Sequence, residues 1–381
     1  MEIAVKTIQD SADADPVAAA PPAAPFRLGY QPALDGIRGI SITIVLVFHA
    51  NERLLPGGFL GVDLFFVLSG FLITSLLVQE FDATGGISLK SFYMRRVLRL
   101  FPALFTMLLL FCAAAILVFG FHGAVDHLID SAITVFYTAN WARALGVHRV
   151  DFLGHAWSLS LEEQFYLIWP PMLLLLLRVM RSRWLVAFLP LGLALASWAL
   201  RFDMHIDGAT LMRVLNGLDT HADGLMIGCC AGLAVASGLL SDKAKRALAR
   251  GVRFLSPISL LLLCYLVLFK HWYDLDTVQW WLFCVPVLGL ILILDCVLGD
   301  RRDSFHRIFS NRLLVRIGMI SYGLYLWHYP IYRFMASAFG MGWVTVLVFG
   351  TILTFLVAIL SYRLVETPFL RLKRKFQPSP A

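Results

Sequence analysis

The stretch LDGIRGISITIVLVFHANERLLPGGFLGVDLFFVLSGF, Leu34–Phe71, decides how this chain is read. Two apolar runs flank a short glycine-rich turn, and Arg38, His49 and Asp63 lie within those runs. Burying an ionisable group in hydrocarbon is costly, so such a group inside a membrane span marks a functional site by default. Working outward, the rest of the chain has the same character. Of 381 residues, 59% are hydrophobic and only 15% charged, where soluble domains carry about 25% charged residues. Mean hydropathy is +0.76. These values describe a polytopic membrane protein, with length for one helical bundle and no second large domain.

The expected fold is all-α: a transmembrane helical bundle of about ten spans. The apolar stretches fall at 33–50, 58–79, 100–120, 160–179, 184–200, 222–239, 254–270, 279–298, 313–333 and 341–363. Each is near the ~20 residues that a helix needs to cross the hydrocarbon. The run Ile133–Trp141 is too short to cross and reads as a re-entrant or surface segment. Residues 1–29, rich in Ala, Pro and Asp, read as a disordered cytoplasmic tail. The membrane domain then covers 30–372, and 373–381 form a second cytoplasmic tail.

The net charge of +7 falls mostly in alternate loops. One set holds Lys90, Arg95, Arg96 and Arg99; Arg178, Arg181 and Arg183; Lys243, Lys245, Arg246, Arg250 and Arg253; Arg301, Arg302, Arg307, Arg312 and Arg316; and Arg363, Arg371, Lys373, Arg374 and Lys375. The opposite loops hold only Arg53, Arg143, Arg149, Arg201, Arg213, Lys270 and Arg333. Cytoplasmic loops carry the excess of Lys and Arg, so both termini are expected in the cytoplasm. The basic balance is therefore a topology signal, and nucleic acid is not implied. The six cysteines lack metal or redox spacing and read as small apolar residues of the spans.

Topology sorts the polar groups by depth. His49 lies eleven residues beyond Arg38, roughly 16 Å further out at helical rise. The next span returns inward, which is expected to bring Asp63 level with His49. An imidazole beside a carboxylate suits a general base whose tautomer is fixed by its partner. The alternative is a buried polar pair that only stabilises packing. Glu162 and Glu163 open a span from the outside, where they also complement the helix dipole. His328 lies near the outer end of SYGLYLWHYP, Ser321–Pro330, beside Trp327 and Tyr329, and could equally be part of an aromatic belt. Arg95, Arg96 and Arg99 enter from the cytoplasm, as an anion site or as positive-inside anchors. The expectation is thus a basic cluster inside and a His/carboxylate cluster outside, with Arg38 between them.

These motifs resemble the acyltransferase-3 family of integral membrane acyltransferases. The resemblance covers about residues 31–372 and rests on seven segments in order: LDGIRGISITIVLVFHA (Leu34–Ala50), GVDLFFVLSGFLIT (Gly61–Thr74), FYMRRVLRLFPA (Phe92–Ala103), WSLSLEEQFYLIWP (Trp157–Pro170), DTHADGLMIG (Asp219–Gly228), ISYGLYLWHYPI (Ile320–Ile331) and YRLVETPF (Tyr362–Phe369). It implies activity tied to Arg38 and His49, with Arg95, Arg96, Arg99, Pro102 and Glu162 carried over. One position departs: the family's usual Asp-Thr-Arg is Asp219-Thr220-His221 here, which removes a permanent charge.

The resemblance further implies transfer of an acyl group, most simply acetyl, from cytoplasmic acyl-CoA to a hydroxyl of an extracytoplasmic glycan, glycolipid or macrolide-type acceptor. On this reading His49, Asp63, Arg38 and Glu162 are catalytic, and Arg95, Arg96 and Arg99 hold the CoA phosphates. His328, Tyr325, His221 and Glu163 face the acceptor. No metal and no permanently bound cofactor are called for; acyl-CoA is a donor substrate. The expected setting is the cytoplasmic (inner) membrane, as a stand-alone multi-pass transferase that could use an extracytoplasmic partner protein. Two other readings stay open: a proton-coupled exporter using the same His/Asp/Glu groups, and a non-catalytic membrane subunit.

Overall fold

A computed structural model describes residues 28–300 and 303–376. The described residues form helices joined by turns and loops, with no strand among them. The expected tail over 1–29 lies outside the described residues except for 28 and 29, as do Arg301, Arg302 and the end of the C-terminal tail.

Seven helical runs are long and apolar enough to cross a membrane. They are Pro32–Ala50 (α1), Gly58–Thr84 (which includes α2, Gly61–Thr84), Leu89–Gly123, Arg183–Ile206, Asp242–Phe269, Thr277–Leu298 and Trp343–Leu372. Three further stretches expected to span fall short of that standard. Ala156–Val179 carries Glu162, Glu163 and Gln164 in its first half. Asp223–Ala236 has 14 residues and Ser321–Arg333 has 13. In chain order the remaining helices are α3 (Leu89–Gly123), α4 (Val125–Val135), α5 (Ala139–Ala144), α6 (Ala156–Val179), α7 (Arg183–Ile206), α8 (Leu211–Asn216), α9 (Leu218–His221), α10 (Asp223–Ala236), α11 (Asp242–Phe269), α12 (Leu282–Leu298), α13 (Ser304–Phe309), α14 (Arg312–Met319), α15 (Ser321–Arg333) and the last run, α16 (Trp343–Leu372).

Helix α2 is the axis of the bundle; 83% of its apolar window is buried inside the protein. It packs against α10 most extensively, and also against α1, α12 and α6. Glycine makes the α2–α10 approach possible. A Cβ at Gly228 would lie 2.2 Å from the Val67 carbonyl oxygen, and one at Gly70 would lie 2.0 Å from that of Leu225. Backbones this close exclude any larger side chain, which is how small residues serve helix pairing where lipid offers no hydrophobic drive. The same device joins α1 to α14, where a Cβ at Gly318 would stand 1.8 Å from the Asp35 carbonyl oxygen.

The segment after α3 folds back along that helix. Gly120, at φ 69°, breaks the helix. α4 then returns along α3 until the Tyr137 ring meets Phe101, with centroids 6.2 Å apart. The turn after α4 is tied to α6 through Gln164. Its Nε2 donates to the Tyr137 carbonyl at 2.7 Å and to Asn140 Oδ1 at 2.9 Å, and its Oε1 accepts from Trp141 Nε1 at 3.2 Å. Tyr137 itself sits at φ 52°, a conformation unusual for a non-glycine residue.

Replacing Gly228 with Leu is expected to force α2 and α10 apart and to lower the Tm of the detergent-purified protein by many degrees. Gly192→Leu in α7, where nothing lies within 4 Å of the added Cβ, is expected to leave the Tm within a degree or two.

Candidate functional site

Five helices line a cavity of about 210 Å³ whose walls carry both apolar and charged side chains. α1 contributes Arg38, α2 contributes Ser69, and α3 contributes Arg96 and Arg99. α6 contributes Ser158, Glu162, Glu163 and Tyr166, and α15 contributes Tyr322 and Tyr325. Three guanidinium groups and two carboxylates therefore share one space. The expected separation into a basic inner cluster and an acidic outer cluster is corrected on this point. Glu162 lies about 10 Å along α6 from its start, and Arg99 about 15 Å along α3 from its start, so the two meet within the bundle.

Within the cavity Glu162 accepts hydrogen bonds from Ser69 Oγ and Tyr166 OH, and the two hydroxyls are 3.1 Å apart. The guanidinium of Arg96 lies over the Tyr166 ring, 4.3 Å from its centroid. Arg38 pairs with Asp35 at 3.3 Å, one turn back in its own helix. Arg95 is turned out of the cavity. It donates to the Phe376 carbonyl at 2.7 Å and pairs with Glu80 at 3.4 Å, so it is removed from the expected set with Arg96 and Arg99. Ser158 and Tyr166 were not singled out from the sequence. Both stand four residues from Glu162, on the same face of α6, and that spacing is the signal that could have found them.

His49 and Asp63 do not pair. His49 ends α1 and faces α15, where its Nδ1 lies 3.0 Å from His328 Nε2. Asp63 faces the other way, and its Oδ1 lies 2.9 Å from His221 Nε2. The two residues are near each other in sequence-derived depth, but their side chains leave the hairpin in different directions. His221 is held at its other nitrogen by the Leu215 carbonyl, 2.6 Å from Nδ1, and its ring stacks on Trp157. With a backbone acceptor on one side and a carboxylate on the other, one proton lies between His221 Nε2 and Asp63. Next to this pair Arg201 donates to Asp223 Oδ2 at 2.7 Å and to the carbonyls of Thr220 and Val278 at 2.7 and 3.0 Å. Asp63 and His221 thus belong to a buried network linking α2, α7, α9 and α10. Neither lines the cavity.

The His49–His328 pair has a readable protonation order. His328 Nδ1 lies 2.6 Å from the Tyr325 carbonyl, so it carries the proton. Its Nε2 is then a lone pair and accepts from His49 Nδ1–H. The hydrogen-bond network therefore assigns His49 Nε2 as the unprotonated nitrogen. His328 is fully buried, whereas His49 is only partly so. An imidazole whose far nitrogen is fixed as a donor is poised to take a proton at the near one. Tyr325 separates this pair from the cavity. Its hydroxyl lies 2.5 Å from Ser158 Oγ and donates to the His155 carbonyl at 2.9 Å, while its ring lies 5.4 Å from that of His328.

A polytopic all-helical protein with guanidinium, carboxylate and imidazole groups gathered inside the bundle is the class defined by this fold and site. The chain belongs to the acyltransferase family whose pattern is described as an acyltransferase domain, which matches residues 31–363. It is 34% identical over 359 residues to a protein of Staphylococcus aureus (strain MSSA476) provisionally named an O-acetyltransferase, covering 90% of this chain and 58% of that one. It is 32% identical to the peptidoglycan O-acetyltransferase OatA of Listeria monocytogenes, covering 89% of this chain and 56% of that one. It is 33% identical to the O-acetyltransferase OatA of Staphylococcus aureus (strain NCTC 8325 / PS 47), covering 89% and 57%. The chain thus spans less than two thirds of the length of these relatives. No solved structure matches it.

Because the Asp63–His221 pair is buried and away from the cavity, Asp63→Leu is expected to cost about 3–5 kcal/mol of stability by leaving His221 without its partner. Asp63→Leu combined with His221→Leu should recover most of that loss. Denaturation of the single and double variants in detergent checks both.

Proposed function

We propose that this chain is an integral membrane O-acyltransferase. It moves an acyl group, in the simplest case acetyl, from acyl-CoA on the cytoplasmic side to a hydroxyl of an extracytoplasmic glycan. The names of the relatives support O-acetylation, and that of the Listeria protein supports a peptidoglycan-type acceptor. Glycolipids and macrolide-type molecules carry the same hydroxyl chemistry. The alternation of basic loops supports ten spans in the cytoplasmic membrane with both termini inside.

The observation that carries the reading is the His49–His328 hydrogen bond, which leaves His49 Nε2 as a base. Donor CoA is a polyanion on a long flexible arm. Arg96 and Arg99 offer planar donor forks suited to phosphate, and Arg38 continues the basic lining from α1. Glu162 holds Ser69 and Tyr166 in place across the same cavity. At the reacting end, the acceptor hydroxyl gives its proton to His49 Nε2 as its oxygen attacks the thioester carbonyl. The C–O bond forms, the C–S bond breaks, and the sulfur leaves with the bonding electron pair. The proton held on His49 then passes to the thiolate. His328 does for His49 what a carboxylate does elsewhere: it fixes the tautomer and spreads the charge of the imidazolium that forms.

General-base catalysis contributes about 10²–10⁴-fold, so His49→Ala is expected to lower acceptor esterification at least about 100-fold at unchanged protein level. Mass spectrometry of envelope glycans and glycolipids from cells with the wild-type chain, His49→Ala and a gene deletion reads this directly. An ester that survives His49→Ala but not the deletion overturns the assignment of His49.

A further inference from the structure

His155 is 2% exposed, and neither of its ring nitrogens has a hydrogen-bond partner. The Leu326 backbone comes near the ring without hydrogen-bond geometry. A neutral imidazole carries one N–H and one lone pair, and leaving both unpaired away from water is unfavourable. The side chain is nonetheless firmly placed. It stacks on Tyr329 with centroids 5.1 Å apart and an interplanar angle of 27°, and it meets the His328 ring edge-on at 5.3 Å. His49 touches the same two rings, at 5.0 Å from each. His328 and Tyr329 are themselves 6.1 Å apart. The four rings form a rhombus with His49 and His155 at its two far corners.

We propose that His155 is a substrate-contacting residue that hydrogen-bonds the acceptor beside the hydroxyl deprotonated by His49. The inference rests on the acyl-transfer reading and names a second contact of that site. A packed ring cluster needs no polar atoms at this corner; phenylalanine would fill it. With both nitrogens unpaired, the imidazole is free to take a polar ligand that arrives during turnover. A hydroxyl is both donor and acceptor, so it pairs with whichever nitrogen faces it. A thioester carbonyl can only accept. Because His155 and His49 border the same two rings, a polyhydroxyl acceptor with one hydroxyl at His49 can set a neighbouring one at His155.

The test compares wild type, His49→Ala, His155→Phe and His155→Gln. Three quantities are read: Tm in detergent, the shift of Tm by acetyl-CoA, and envelope-glycan ester in cells. His155→Phe keeps a flat ring against Tyr329 and removes the unpaired nitrogens. Its Tm should be no lower than wild type and its acetyl-CoA shift unchanged, while ester falls at least about tenfold. His155→Gln, which retains a donor and an acceptor, should keep more ester than His155→Phe. Wild-type ester with His155→Phe overturns the proposal. So does loss of the acetyl-CoA shift, which would place His155 on the donor. A Tm lowered by both His155 variants also overturns it, because the imidazole would then be structural. Ester that persists in His49→Ala brings down the acyl-transfer reading of the site and this inference with it, and is told apart from the other outcomes by that variant alone.

Discussion

A polar group in hydrocarbon finds no partner there, so the polar side chains of this bundle are drawn to one another. That constraint organises α2 and its neighbours. The glycine contacts draw α10 against one side of the helix, and Asp63 is then satisfied by His221 at the junction of α9 and α10. On another side Ser69 meets Glu162 of α6, and Thr74 accepts from Trp169 Nε1 at 2.8 Å. The turn at Tyr137 is likewise tied to α6 through Gln164. Close backbone packing and polar pairing are coupled: without the glycines the helices could not approach near enough for these short side chains to meet.

The consequence for chemistry is a division of labour among three polar groups of residues. The cavity holds the guanidinium and carboxylate groups. The imidazole pair His49–His328 lies beyond Tyr325, which reaches both. The Asp63–His221 and Arg201–Asp223 pairs tie four helices together behind them. Where the family pattern has an arginine, His221 sets one ring nitrogen against the Asp63 carboxyl and the other against the Leu215 carbonyl. The replacement therefore belongs to the internal scaffold and does not face the cavity.

The sequence alone determined the all-helical character, seven of the ten stretches expected to span, and the family. Hydropathy acts over a whole helix length, and motif order along the chain needs no knowledge of contacts. Arg38, Arg96, Arg99, Glu162, Glu163 and Tyr325 were legible one by one as candidate site residues, but the sequence set the basic and acidic groups apart, whereas all six line one cavity. What only the tertiary structure decided was who faces whom. Helical rise gives a residue's depth to within a turn, but its partner depends on rotation about the helix axis and on which helix stands opposite. His49 and Asp63 agree in estimated depth, yet one side chain leaves toward α15 and the other toward α9. Arg95 is adjacent to Arg96, yet one helical step of about 100° carries it out of the cavity to Glu80 and Phe376. His155, polar in a polar motif, became conspicuous only once burial left both of its nitrogens without a partner.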